Sequence, residues 1–82
     1  MAKVVFSCDG VTVLFESSSV HVLRMDRGEN LFNPELVGLL DQALDAIEAT
    51  RDESKPLALV VTGTGKFFSN GLDLNWLAPR RL

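Results

Sequence analysis

The stretch LALVVTGTGKFFSNGLDL, residues 57–74, decides how this chain is read. Its first part, LALVVTG (57–63), shows no polar alternation. A strand with one wet face alternates apolar and polar residues, whereas a parallel strand covered on both faces reads as a continuous apolar run. Residues 57–63 are therefore expected to form a strand buried on both faces. The second part crowds Phe67, Phe68, Gly71 and Asp73 together and restarts as LDLNWLA (72–78), the expected beginning of a helix. A strand, a glycine bend and a helix start often seat chemistry, because ligands of α/β sheets bind outside the carboxyl ends of the strands. The first N–H groups of such a helix lack internal acceptors and carry partial positive charge. Gly71 gives the bend a backbone freedom that other residues lack.

Upstream, the pattern has the helical period. Asn33 suits an N-cap, Pro34 the first helical position and Glu35 the positive end of the helix dipole. Leu36, Leu39, Leu40, Ala43, Leu44 and Ile47 then share one face, which places a helix at 34–50. Residues 3–8, 11–16 and 20–25 read as strands of a meander, with a DG turn at 9–10 and SSS at 17–19. DRGEN (26–30) reads as a loop and RDESKP (51–56) as a charged connection. Strand, helix and buried strand in succession make a βαβ unit, so the fold class is α/β. Such a unit needs further elements to cover both faces of its sheet. The chain is thus expected to be the N-terminal part, residues 1–82, of a single larger domain.

Composition narrows the function classes. The 82 residues are 46% hydrophobic and 23% charged, which is globular usage rather than that of a disordered chain. A net charge of −3 without a basic cluster argues against nucleic acid and anionic membranes. No apolar run approaches the ~20 residues of a membrane span, and MAKVVFSCDG lacks the apolar stretch of a signal peptide. Cys8 is the one cysteine, so neither a disulfide within the chain nor a cysteine-based metal site is expected, and a reducing intracellular compartment fits best. GTGK (63–66) lacks the spacing of a phosphate loop, and Phe67 stands where that motif needs Ser or Thr.

HVLRMDRGENLFNPELVGLLDQALDAIEA (21–49) followed by LALVVTGTGKFFSNGLDLNWL (57–77) resembles the N-terminal part of the crotonase superfamily, the enoyl-CoA hydratase/isomerase family. The match runs through Asn30, Gly63, Gly65, Phe67 or Phe68, Gly71, Asp73 and Leu74. The form KFFSNGLDL is most similar to the Δ3,Δ2-enoyl-CoA isomerase branch. The resemblance implies a truncated crotonase-like (ClpP/crotonase) spiral and binding of an enoyl-CoA thioester of fatty-acid β-oxidation. It implies that the backbone N–H of Leu72, presented by Gly71, is the first oxyanion-hole donor. Phe68, Ser69 and Asn70 would follow the CoA path through backbone contacts, and Arg27 or Arg24 would meet CoA phosphates, a plain surface role being the other reading. Family members add a second donor, an acid/base carboxylate and trimer-forming helices in later segments, so this chain is not expected to turn over acyl-CoA alone. No metal or redox cofactor is implied, since CoA arrives with the substrate. The alternative is a non-catalytic, truncated module that associates with full-length relatives. Location is expected to be intracellular, peroxisomal or cytoplasmic.

The remaining chemistry-bearing residues have simpler readings. His21 lies between valines in a strand and is expected to be exposed or satisfied structurally. Cys8 has no nearby His to activate it as a nucleophile. Asp41, Asp45 and Glu48 form a solvated helix face. Asp73 is expected to cap the following helix rather than to catalyse. One of Phe67 and Phe68 should turn inward and the other lie at a pocket mouth. Trp76 is expected to pack the second helix or to line an acyl pocket. The terminal RRL matches a peroxisomal address only in part, with Arg80 where a small residue belongs.

Overall fold

A computed structural model describes residues 3–17 and 19–80. Four strands form one mixed sheet in the order β1 (Lys3–Cys8), β2 (Val11–Ser17), β3 (Val20–Met25) and β4 (Ala58–Gly63). β1–β2 and β2–β3 are antiparallel, and β3–β4 is parallel. The turn between β1 and β2 has φ of 44° at Asp9 and 88° at Gly10. Positive φ at both central residues is the geometry that matches the twist of a hairpin, and it is why Asp-Gly stands there.

The parallel pair is joined through helix α1 (Pro34–Thr50). Asn33 is its N-cap: the backbone is extended and Oδ1 accepts the Leu36 N–H at 2.9 Å. Leu36, Leu39, Ala43 and Ile47 pack on Val11, Val13, Leu23 and Met25 to form the core. α1 lies across β1 and β2. Leu44, expected on the packed face, is instead 50% exposed, since it overhangs the β4 side where no partner stands against it among the described residues.

β4 corrects a further expectation. It is a parallel strand, as its continuous apolar run requires, but it is not buried on both faces. Leu59, Val60 and Val61 remain 37%, 49% and 43% exposed. Among the described residues β3 is its one strand neighbour. Burial on both faces is a property of the layers around a strand, which its own residues cannot supply. A short helix α2 (Leu74–Leu77) and a 3-10 turn (Ala78–Arg80) follow, so the expected helix at 72–78 begins two residues later. The terminal RRL lies, for Arg81 and Leu82, outside the described residues.

Candidate functional site

Two loops meet beyond the carboxyl ends of β3 and β4, where ligands of parallel sheets bind. One joins β3 to α1 and the other joins β4 to α2. Gly63, the last residue of β4, leads into the second loop. A Cβ there would lie 2.7 Å from the Phe67 carbonyl oxygen and 2.7 Å from the Phe68 Cα, so the loop folds back over a position that only glycine can fill.

Asn30 ties the loops together from the inside. It is fully buried, with φ of 52°. Its Nδ2 donates to the carbonyl oxygens of Met25 (3.2 Å), Phe67 (3.2 Å) and Phe68 (3.0 Å), while its Oδ1 accepts the Arg27 N–H at 2.8 Å. Ser69 Oγ donates to the Asn30 carbonyl at 2.8 Å and accepts the Gly71 N–H at 3.1 Å. Asn70 donates to Glu29 twice, from its backbone N–H to the carbonyl at 2.8 Å and from Nδ2 to Oε2 at 2.6 Å. Sequence reasoning gave Asn30 no such role. The available signal was an asparagine two residues after a glycine in a polar loop, a residue type that tolerates left-handed backbone.

Phe32 then forms an isolated parallel bridge with Leu72. Its N–H donates to the Gly71 carbonyl at 2.8 Å, and its carbonyl accepts the Asp73 N–H at 3.0 Å. Phe32 thus bonds the residues on either side of Leu72. Alternation along an extended backbone turns the N–H of Leu72 to the opposite side. There it meets no acceptor among the described residues. Gly71 makes the bend with φ of 87°. Leu72 borders two hollows. One, of about 190 Å³, includes Glu29, Leu31 and Asn75. The other, of about 340 Å³, is almost wholly apolar and includes Phe32, Val37 and Trp76.

Asp73 caps α2. Its Oδ1 accepts the Trp76 N–H at 3.2 Å and its Oδ2 accepts Asn33 Nδ2 at 3.0 Å. The Asn33 amide and then the Trp76 N–H hold this carboxyl below its ordinary value of 3.8. Asn33 therefore caps one helix and braces the cap of the next.

The other candidate residues are placed as follows. Arg27 donates to the Asp9 carbonyl at 2.7 Å and pairs with Glu35, while Arg24 is exposed. Phe67 is half-buried beneath Lys66 Nζ, 5.6 Å from its ring centre. Phe68 is 56% exposed at an apolar hollow of about 240 Å³ shared with Leu40, Leu44, Leu59 and Val61. Cys8 is half-buried in β1. His21 departs from expectation. It is buried beside Leu23 and Met25 on the helix-facing side of β3, its ring lies 5.0 Å from that of Phe15, and its Nδ1 has no partner among the described residues. Among the described residues no three His, Cys, Asp or Glu side chains are grouped to hold a metal, and no helix is long and apolar enough to cross a membrane.

No family model and no curated protein matches the chain. Among solved structures, it is similar to the enoyl-CoA hydratase EchA3 from Mycobacterium ulcerans Agy99, with a TM-score of 0.67 and 33% sequence identity. The match covers 84% of this chain and 28% of that protein. In backbone course and in sequence together, the chain is similar to a part of an enoyl-CoA hydratase.

Proposed function

We propose that this chain is the N-terminal, acyl-CoA-binding part of a crotonase-superfamily domain, in which the Leu72 amide donates to the thioester carbonyl oxygen. The observation that carries this reading is the Leu72 N–H itself, turned outward by the Phe32 bridge at a glycine bend and left without an acceptor. A donor aimed at a carbonyl oxygen gains strength as that oxygen takes on negative charge. Removing one such donor costs about 3 kcal/mol of transition-state stabilisation in well-studied cases. The likeness to an enoyl-CoA hydratase supports the same reading from a second direction. KFFSNGLDL favours the isomerase branch within the superfamily. The whole reaction also requires a second donor and a carboxylate to move the proton, neither of which is identified in this stretch, so the chain binds without turnover. CoA arrives as part of the substrate.

The test is a titration of the ¹⁵N-labelled chain with butyryl-CoA. The Leu72 amide proton should move downfield, and free CoA should not move it. A Leu72 resonance indifferent to the thioester sinks the proposal. The same samples, given crotonyl-CoA, should show neither hydration nor double-bond migration.

The exposed β4 supports a second reading, in which the chain is a non-catalytic module that joins full-length relatives through its sheet. Co-sedimentation with a full-length enoyl-CoA hydratase, together with silence in the thioester titration, would select it.

A further inference from the structure

We infer that Asn30, acting through Ser69, is the positioning residue that sets the direction of the Leu72 amide; this rests on the acyl-CoA reading above for its functional meaning. No described residue bonds the Leu72 N–H, so its direction is inherited from its neighbours. Gly71 is held on both sides: its N–H by Ser69 Oγ and its carbonyl by the Phe32 N–H. Ser69 Oγ is in turn fixed by donating to the Asn30 carbonyl at 2.8 Å. The Asn30 side chain gathers the carbonyls of Phe67 and Phe68, the two residues before Ser69. One buried amide therefore anchors the incoming arm of the bend, and one hydroxyl carries that anchor to the residue before Leu72.

The chemistry of the side chain is specific. An amide offers two N–H donors and one acceptor from the same short arm. Here Nδ2 shares its protons among three carbonyls while Oδ1 takes the Arg27 N–H. Aspartate would keep the acceptor but set a carboxylate against those carbonyls. Alanine would leave those carbonyls without their shared donor, and it lacks asparagine's tolerance of the φ of 52°. Met25 of the main core meets this arrangement through its carbonyl alone, while Val13, Leu39 and Ile47 lie outside it. Loosening it should re-aim the bend while the helix stays on the sheet.

The test uses the whole 82-residue chain and two variants, Asn30→Asp and Ser69→Ala. The milder Ser69→Ala removes only the relay to Gly71 and keeps the question open should Asn30→Asp not fold. Without ligand, amide shifts and hydrogen exchange should change across residues 67–73 and stay unchanged in α1, β1 and β2. With butyryl-CoA labelled with ¹³C at the carbonyl, the infrared C=O stretch should fall on binding to the parent chain and sit nearer its free value on the variants. Affinity should drop about tenfold in Asn30→Asp. Folded variants whose 67–73 amides do not move, or whose bound carbonyl stretch equals the parent's, overturn the inference. A parent chain that never binds the thioester overturns the acyl-CoA reading instead, and the ligand-free shifts still decide whether Asn30 aims the bend.

Discussion

At the residue scale, the bend depends on groups whose roles differ from what their type suggests. Asp73 stands in the most chemistry-like position of its motif, yet its carboxylate is occupied by Asn33 and the Trp76 N–H. Both bonds favour the charged form, so its pKa is depressed. A depressed carboxyl stabilises the fold above the unfolded value of 3.8 and loses that contribution as pH falls through its lower folded value. Trp76 fluorescence, read during acid titration, should therefore change with a midpoint below 3.8, and Asn33→Ala should raise that midpoint toward 3.8. Identical midpoints in the two proteins would show that Asn33 does not support the carboxylate. Gly63 offers a steric counterpart. Gly63→Ala drives a methyl group into the Phe67–Phe68 backbone and should cost about 2 kcal/mol in urea unfolding. His21 is a liability in the same sense, because its buried Nδ1 has no partner among the described residues. Its replacement by leucine should raise the urea midpoint, by about 1 kcal/mol of stability.

At the element scale, α1 is well specified and β4 is not. The helix has its N-cap, a proline at the first position, an acid in the first turn and a buried stripe of four residues. Leu36 opens that stripe with no exposure, so Leu36→Ala should cost about 3 kcal/mol, measured by denaturant unfolding followed by helical circular dichroism. Loss of the cap in Asn33→Ala should cost less, about 1 kcal/mol. A ranking in the reverse order would mean that α1 is held by its cap more than by its face. β4 is defined by its pairing with β3, and its apolar run is correct for a parallel strand. Its exposure follows from where α1 lies, over β1 and β2, which leaves Leu59 and Val61 facing a hollow with Leu44 and Phe68.

At the scale of the whole molecule, α1 packs on one face of the sheet, and no described helix packs on the other. Register places Val4, Leu14, Val22 and Val60 side by side across all four strands on that second face. Val4 and Val60 at its two ends are 58% and 49% exposed. The radius of gyration of 14.2 Å exceeds the ~12 Å typical of a compact domain of this length, in keeping with an open two-layer form. An apolar stripe and an unpaired strand edge together favour association. The sedimentation coefficient should rise with protein concentration, and Val60→Lys should reduce that rise without lowering helical content. A parent chain that stays monomeric at high concentration would show that the stripe is tolerated in water.

Local order was legible in the residues because it is set by neighbours in the chain. The Asp-Gly hairpin, the Asn-Pro-Glu helix start, the helical period and the glycine bend at 71 each follow from backbone sterics or from groups a few positions apart. Likeness to an enoyl-CoA hydratase was legible because its motif is written in two stretches of the chain, 21–49 and 57–77, each read from its own residues. Contacts between loops far apart in sequence were not. That Asn30 would gather the carbonyls of Phe67 and Phe68, that Phe32 would bridge Leu72, and that Asn33 would reach Asp73 depends on β3 and β4 ending side by side. Burial of β4 was not legible either, because exposure belongs to whatever packs against a strand. Tertiary structure alone decides these, since they arise only once the parallel pair brings two distant loops together.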